Sequence, residues 1–128
     1  MTRDEIFERV RTVLVEALSV EEDEVTHQAV IRDDLGAESI DFLDIQFRLE
    51  KEFGIKIPKG EMMPEDLASA GEFVQDGKLT QAGIDELKKR MPHADFKDLS
   101  AGSDLEEMSK LFTVDAVVNY VERKLQEA

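Results

Sequence analysis

Hydrophobic residues recur at helical spacing in several stretches of the chain, and they predict a helical protein. The first stretch is residues 3–18, where Thr2 and Glu5 stand three residues apart and predict a capping box. Its apolar face consists of Ile6, Val10, Val13, Leu14 and Leu18. Residues 19–38 are rich in Asp and Glu and predict a long loop, in which Gly36 marks a turn. That loop is expected to be pinned to the core by Val25, Val30, Ile31 and Leu35.

The second predicted helix runs from Ser39 to Phe53 and ends at Gly54, a residue type typical of helix C-caps. This helix carries two apolar stripes instead of one. The first stripe consists of Phe42, Ile45, Leu49 and Phe53, and the second of Ile40, Leu43 and Phe47. At 3.6 residues per turn the two stripes lie on different faces of the helix. The second stripe is either a further core contact or an exposed docking surface, and the pattern leaves both open.

Residues 59–104 differ in character, because Gly and Pro punctuate them and predict short elements and turns. Asp76-Gly77 predicts a tight hairpin within residues 73–79. A helix is expected from about Thr80 to Met91, with Ile84, Leu87 and Met91 on its apolar face. Its basic end consists of Lys88, Lys89 and Arg90, which we interpret as a solvated helix end and not as a phosphate site.

The last part of the chain predicts two more helices. Residues 104–110 suggest a short one capped by Asp104, with Leu105, Met108 and Leu111 facing inward. Thr113 is placed to cap a final helix that reaches about Gln126. Its apolar face consists of Val114, Val117, Val118, Val121 and Leu125. Together these elements predict an all-α bundle with at most one minor hairpin.

Composition narrows the class of protein further. A chain of 128 residues with 41% hydrophobic residues suits one domain with its own core. The absence of Cys excludes disulfides, thiolate catalysis and zinc–thiolate sites. Lys and Arg number 16 against 30 Asp and Glu, a net charge of -14, which repels nucleic acid and anionic membranes but attracts basic protein surfaces. With no long apolar run and no apolar segment near the N-terminus, we expect a cytoplasmic protein that does not span a membrane.

Ser39, between the acidic loop and the second helix, is the candidate functional residue. A serine at such a position is most often a plain N-cap, but the capping-box partner position here holds Phe42 and not Glu or Gln. Metal binding is not expected, because His27 and His93 lack ligand-spaced partners. The acids around Ser39 do not follow calcium-loop spacing, and no carboxylate pair stands in a recognisable catalytic frame.

The segment Asp34-Leu35-Gly36-Ala37-Glu38-Ser39-Ile40-Asp41 resembles the acyl carrier protein signature, whose usual core is Asp-Ser-Leu. The likeness continues at Phe53-Gly54-Ile55-Lys56-Ile57-Pro58 and resumes at Leu111-Phe112-Thr113-Val114-Asp115, the start of the last helix in that family. The runs from Ser39 to Ile45 and from Lys51 to Pro58 also look like specialised bacterial carriers that serve lipid A and very-long-chain fatty acid synthesis.

The resemblance implies a single carrier domain over residues 1–128, an acyl-carrier-type four-helix bundle with an inserted helical segment at about 59–104. It implies a carrier and not an enzyme, with 4'-phosphopantetheine attached to Ser39. Ser39 would then be a substrate hydroxyl, since neither histidine lies near it in sequence. The recognition surface would consist of Glu38, Ile40, Asp41, Leu43, Asp44 and Phe47. Its partners would be a phosphopantetheinyl transferase and acyl synthases and acyltransferases with basic docking patches.

Two alternatives to a fatty acid or lipid A carrier stay open at this point. One is a stand-alone polyketide or peptidyl carrier, and the other is an acidic adaptor that carries nothing. The inserted segment is either a decoration packed on the bundle or a device that covers the acyl pocket or selects a partner. Met62 and Met63 lie in it and are read as loop residues. A small acidic carrier is expected to be a monomer.

Overall fold

The computed structural model describes residues 1–58, 71–94, 96, 99–104, 107 and 110–127, except the side chains of Ser39 and Arg90. Within these residues there are four α-helices and one two-stranded hairpin. The helices are α1 (Arg3–Leu18), α2 (Ser39–Phe53), α3 (Gln81–Arg90) and α4 (Val114–Glu127). The antiparallel strands are β1 (Val74–Gln75) and β2 (Lys78–Leu79). The prediction of a helical bundle with a minor hairpin is therefore confirmed.

Helix α1 begins as predicted. The Glu5 backbone N–H donates to Thr2 Oγ1 at 3.2 Å, and the Thr2 backbone N–H donates to Glu5 Oε1 at 3.3 Å. Ile6, Val10, Val13 and Leu14 are buried against α2 and α4, while Leu18 is only half-buried. The capping box thus sets the start of α1, and the apolar stripe sets which face of it turns inward.

The same capping box predicts a pH dependence. Hydrogen bonds from Thr2, the backbone N–H first and the hydroxyl second, hold the pKa of the Glu5 carboxyl below its ordinary value. A carboxyl with a lowered folded-state pKa stabilises the fold above its unfolded value, and this contribution disappears as the pH falls through the folded value. We expect the melting-temperature difference between wild type and Glu5→Gln to shrink from neutral pH to about pH 3. A difference that stays constant would contradict this role for Glu5.

The bundle core lies between α1, α2 and α4. The fully buried residues from these helices include Val10, Leu14, Ile45, Leu49, Val117 and Val121. Phe42 of α2 meets Phe112 edge to face, with ring centroids 5.0 Å apart. The predicted inner stripe of α2 is confirmed, since Phe42, Ile45, Leu49 and Phe53 are all buried.

The acidic loop between α1 and α2 is held by backbone bonds to the start of α4. Ile31 N–H donates to Phe112 C=O at 3.0 Å, and Val114 N–H donates to Ala29 C=O at 3.0 Å. The loop also contains a 3₁₀ turn at Glu22–Glu24. Of its four predicted apolar anchors, Val25, Ile31 and Leu35 are buried and Val30 is half-buried. Because of these bonds, α4 fixes the path of the chain that leads into α2.

The described part of residues 59–104 contains the predicted hairpin and helix. Asp76 and Gly77 have φ of 54° and 75°, as the turn between β1 and β2 requires. Thr80 caps α3 through its Oγ1, which accepts the Gly83 N–H at 3.1 Å, and Ile84, Leu87 and Met91 are buried. Met62 and Met63 lie outside the described residues, as do Leu105 and Met108 of the short helix expected at 104–110. Asp104 itself pairs with Lys78 in an isolated β-bridge.

The final helix also begins where the sequence predicts. Thr113 Oγ1 accepts the Ala116 N–H at 3.1 Å, and the apolar face of α4 is buried through Val121, with Leu125 half-buried. Asn119 Nδ2 donates to His93 C=O at 3.0 Å, so the segment after α3 is fastened to α4. No helix among the described residues is long and apolar enough to cross a membrane.

Candidate functional site

The site at the head of α2 is built on a short, well-anchored turn. Asp34 Oδ2 accepts the Val30 N–H at 2.7 Å, and the Ala37 N–H donates to Ile31 C=O at 3.2 Å. Leu35 and Ala37 are buried, and Gly36 between them has a φ of 74°, which favours glycine. These contacts fix where the chain enters α2, and Ser39 is its first helical residue.

The interpretation of Ser39 as the N-cap is wrong by one residue. Glu38 is the N-cap, with extended backbone, and its N–H donates to Asp41 Oδ2 at 2.8 Å. The sequence prediction looked for the capping acid at Phe42, whereas a cap at Glu38 places the N3 position at Asp41. Since another residue caps the helix, Ser39 is not needed for that purpose.

Ser39 lies in a segment whose neighbours face solvent. Glu38 on one side is exposed, and Ile40 on the other is 72% exposed. The first N–H groups of a helix have no partner within the helix, so this end carries partial positive charge that favours an attached phosphate. The exposed residues on either side of Ser39 can therefore be reached by an external protein.

The second stripe of α2 lies in solvent. Ile40 is 72% exposed, Leu43 60% and Phe47 58%, and these are three of the four large hydrophobic residues found exposed among those described. The alternative that this stripe is a further core contact is therefore wrong. Single exposed apolar residues are ordinary, but three in line on one helix face form a patch of the kind used for protein contacts.

The acids that flank this stripe differ in their exposure to solvent and in their hydrogen bonds. Glu38 and Asp44 are exposed and Asp41 is half-buried. Asp41 is bound to the Glu38 N–H, while Asp44 Oδ2 accepts from Arg48 Nε at 3.0 Å. Arg48 and Lys51 on this face were missed by the sequence prediction. Their spacing could have predicted these contacts, because residues four apart on a helix are neighbours. Asp44 and Arg48 are four residues apart, as are Phe47 and Lys51.

The two histidines lie elsewhere. His27 Nδ1 is 3.0 Å from Asp115 Oδ1, and the His27 ring stacks on Phe7 with centroids 4.0 Å apart. His93 is buried beside Tyr120, with ring centroids 5.1 Å apart. Among the described residues, no group of three or more His, Cys, Asp or Glu side chains is arranged to hold a metal ion. Both histidines therefore serve contacts with α4 in this structure.

Comparison with known proteins converges on the same segment. Residues 8–75 match the family model described as "Phosphopantetheine attachment site". An "Acyl carrier protein" of Petrotoga mobilis is 47% identical over 62 residues, which cover 48% of this chain and 73% of that protein. An "Acyl carrier protein" of Thermotoga maritima is 38% identical over 73 residues, which cover 57% of this chain and 88% of that protein. The matched region includes α2 and the loop before it.

Proposed function

We propose that Ser39 is the attachment residue of this chain, which belongs to the acyl carrier protein family. Members of this family are carriers and not enzymes, and the prosthetic group is covalently attached 4'-phosphopantetheine. When bound, that group supplies a terminal thiol on which acyl groups are held as thioesters. The chain has no Cys, so the thiol has to come from the attached group.

The position of Ser39 in the matched segment carries this proposal. It is the first residue of α2, it follows a turn anchored by Leu35 and Ala37, and its neighbours are exposed. A serine hydroxyl can form a phosphodiester, and a helix N-terminus favours the phosphate. Both histidine rings are engaged at α4, so Ser39 acts as a substrate for a transferase and not as a nucleophile activated by this chain.

The exposed stripe of α2 supports a second part of the proposal. A carrier domain interacts with a phosphopantetheinyl transferase and with acyl-handling enzymes. We place their docking surface, the recognition face, on the residues Glu38, Ile40, Asp41, Leu43, Asp44 and Phe47. The apolar patch would enter a recess on the partner, and the acids would meet a basic rim. The charge of -14 draws such basic surfaces toward the carrier at low salt.

Phe47→Ala tests the recognition face. Phe47 is 58% exposed, so its loss leaves the fold intact but removes an aromatic anchor from the docking surface. We expect kcat/KM for transfer to fall about tenfold, mainly through KM, as hot-spot residues do. The measurement is the loading rate with coenzyme A and a broad-specificity transferase, alongside the melting temperature. An unchanged rate in a folded variant would remove Phe47 from the docking surface.

Fatty acyl groups, including the long chains of lipid A-type synthesis, are the cargo we propose. The relatives are named acyl carrier proteins, and the core that α2 shares with α1 and α4 is lined by Phe42, Ile45, Leu49 and Phe53. Such an apolar interior suits an alkyl chain better than a peptide. Mass spectrometry of the acylated protein purified from its native cells tests this. A peptidyl or polyketide group on the arm would assign the carrier to another pathway.

The organisation of the chain follows the same proposal. We interpret residues 1–128 as one carrier domain in which about 59–104 are inserted between the second and third helices of the carrier bundle. The hairpin and α3 lie within that insertion, and Asn119 fastens the segment after α3 to α4. We further propose that the carrier is cytoplasmic. We also propose that it is a monomer, since its surface is strongly acidic and copies of like charge repel each other.

A further inference from the structure

Two cations, Arg48 and Lys51, border the C-terminal half of the recognition face, and each one contacts a residue of that face. Arg48 Nε lies 3.0 Å from Asp44 Oδ2, and Arg48 Nη1 lies 3.6 Å from Glu16 Oε2 on α1. Lys51 Nζ lies over the ring of Phe47, 4.8 Å from its centroid. The acidic surface that begins at Ser39 is therefore interrupted after Asp44.

Arg48 holds Asp44 within the molecule. The Asp44 carboxylate accepts a charge-assisted hydrogen bond from the guanidinium, and Glu16 on the other side keeps the guanidinium in place. The side chains of Arg48 and Asp44 are 40% and 48% exposed, so a partner can reach both. A basic group on a partner that binds Asp44 would therefore lie beside the Arg48 guanidinium and be repelled by it.

Lys51 adds a free positive charge one turn further along. It is exposed, and it makes no ion pair with any residue in the described ranges. Its ammonium covers part of the Phe47 ring in a cation–π contact. A basic group placed near Phe47 would meet this ammonium.

The length of the helix brings both cations under a docked partner. At 1.5 Å per residue, Arg48 lies about 13 Å and Lys51 about 18 Å along the axis from Ser39. A standard interface covers about 800 Å² on each partner, so it reaches across this distance. A partner that approaches Ser39 along the exposed stripe therefore covers Arg48 and Lys51 as well.

We propose that Arg48 and Lys51 are specificity-determining residues that reject partners whose basic patch extends past Asp44. The partner that fits is an acyl-handling enzyme with basic groups opposite Glu38 and Asp41 only, and with no positive charge opposite Phe47 and Lys51. The discrimination rests on repulsion, which separates similar partners as effectively as an added attraction does. This inference rests on the proposed recognition face.

A charge-matched pair of double variants tests the inference. Arg48→Gln/Lys51→Gln removes the two cations from α2, and Arg123→Gln/Lys89→Gln removes two cations from α4 and α3. Arg123 is a suitable control because it pairs with Glu127 four residues away, with Nε 3.6 Å from Oε1, and Lys89 is exposed. Both variants have the same net charge, so long-range attraction changes equally. The measurement is kcat/KM, at low and high salt, for loading by a phosphopantetheinyl transferase chosen because its basic patch is long enough to extend past Asp44.

At low salt we expect kcat/KM for Arg48→Gln/Lys51→Gln to be about fivefold higher than for the control double variant, through a lower KM. At high salt we expect this difference to disappear. Equal rates, or a slower α2 variant, would overturn the inference. Glu38→Gln and Asp41→Asn separate this failure from failure of the recognition face, because Asn keeps an oxygen that accepts the capping bond. If Glu38→Gln and Asp41→Asn slow loading while the two double variants load at equal rates, only the inference about Arg48 and Lys51 is contradicted. If Glu38→Gln and Asp41→Asn leave the loading rate unchanged, the proposed recognition face is contradicted as well.

Discussion

Ser39→Ala is expected to abolish loading with phosphopantetheine while leaving the fold intact. The substitution removes the hydroxyl to which we assign the phosphodiester, so no partial activity remains. Because Glu38 caps α2 and Asp41 accepts its N–H, Ala at the first helical position removes no cap. We therefore expect a change in the free energy of unfolding of less than about 0.5 kcal/mol, as for ordinary surface substitutions.

Loading of this variant is followed by intact mass, and its stability by urea denaturation. Ser100→Ala is the matched control, since Ser100 is an exposed serine that lies outside the residues matched to the family model. The control is expected to load fully. A Ser39→Ala protein that still gains the prosthetic group would show that another hydroxyl is the attachment residue. An unfolded variant would contradict the assignment of the cap to Glu38.

Gly83→Ala is expected to have the second-largest effect, on the stability of the hairpin and α3. A Cβ at Gly83 would clash with the Phe73 carbonyl oxygen, which is backbone and cannot rotate away. The same oxygen accepts the Thr80 N–H at 2.9 Å, so any shift of Phe73 breaks the pairing at the base of the hairpin. We expect a loss of about 3 kcal/mol or more in the free energy of unfolding, at the upper end for overpacking.

Gly71→Ala provides the control for this prediction. A Cβ at Gly71 meets nothing within 4 Å, so Ala there is expected to be neutral or slightly stabilising. Hydrogen exchange locates the damage in the Gly83 variant. The amides of Leu79 and Thr80 are expected to exchange faster, and those of Ile31 and Val114 in the bundle to stay protected. Equal stability of the two variants would contradict the close approach of α3 to Phe73.

Local signals in the sequence predict most of the elements correctly. The predicted capping residues Thr2 and Thr113 mark helix starts where the structure has them, because a cap depends only on residues within three positions of it. The Asp76-Gly77 turn is equally local. The cap misplaced at Ser39 shows that residue preference can mislead, since Ser is a favoured N-cap type and Glu is not, yet the Glu38 N–H donates to Asp41 and Glu38 is the cap.

Hydrophobic periodicity predicts the two stripes of α2 but not which neighbours they have. The inner stripe is buried by α1 and α4, and no described element covers Ile40, Leu43 and Phe47. Which stripe is covered depends on how segments distant in sequence pack against α2. The spacing of apolar residues within α2 does not predict this packing. The bonds that join the acidic loop to the start of α4, such as Ile31 N–H to Phe112 C=O, link residues far apart in sequence and leave no local pattern.

The distribution of charge around the recognition face also depends on contacts that the total charge of the chain does not predict. The excess of acids predicts an acidic docking surface, and Glu38 and Asp44 are exposed beside the apolar stripe. The total charge does not show that Asp44 is paired with Arg48, or that Lys51 lies over Phe47. Those contacts depend on side-chain geometry, and they divide the face into an acidic half near Ser39 and a mixed half beyond it.

The most direct test of the carrier assignment is the intact mass of the folded, unmodified protein before and after incubation with coenzyme A and a broad-specificity phosphopantetheinyl transferase. Peptide mapping of the product identifies the modified residue. Our account predicts the gain of one phosphopantetheine per chain, on the peptide that contains Ser39. No gain, or a gain on a peptide without Ser39, would contradict it.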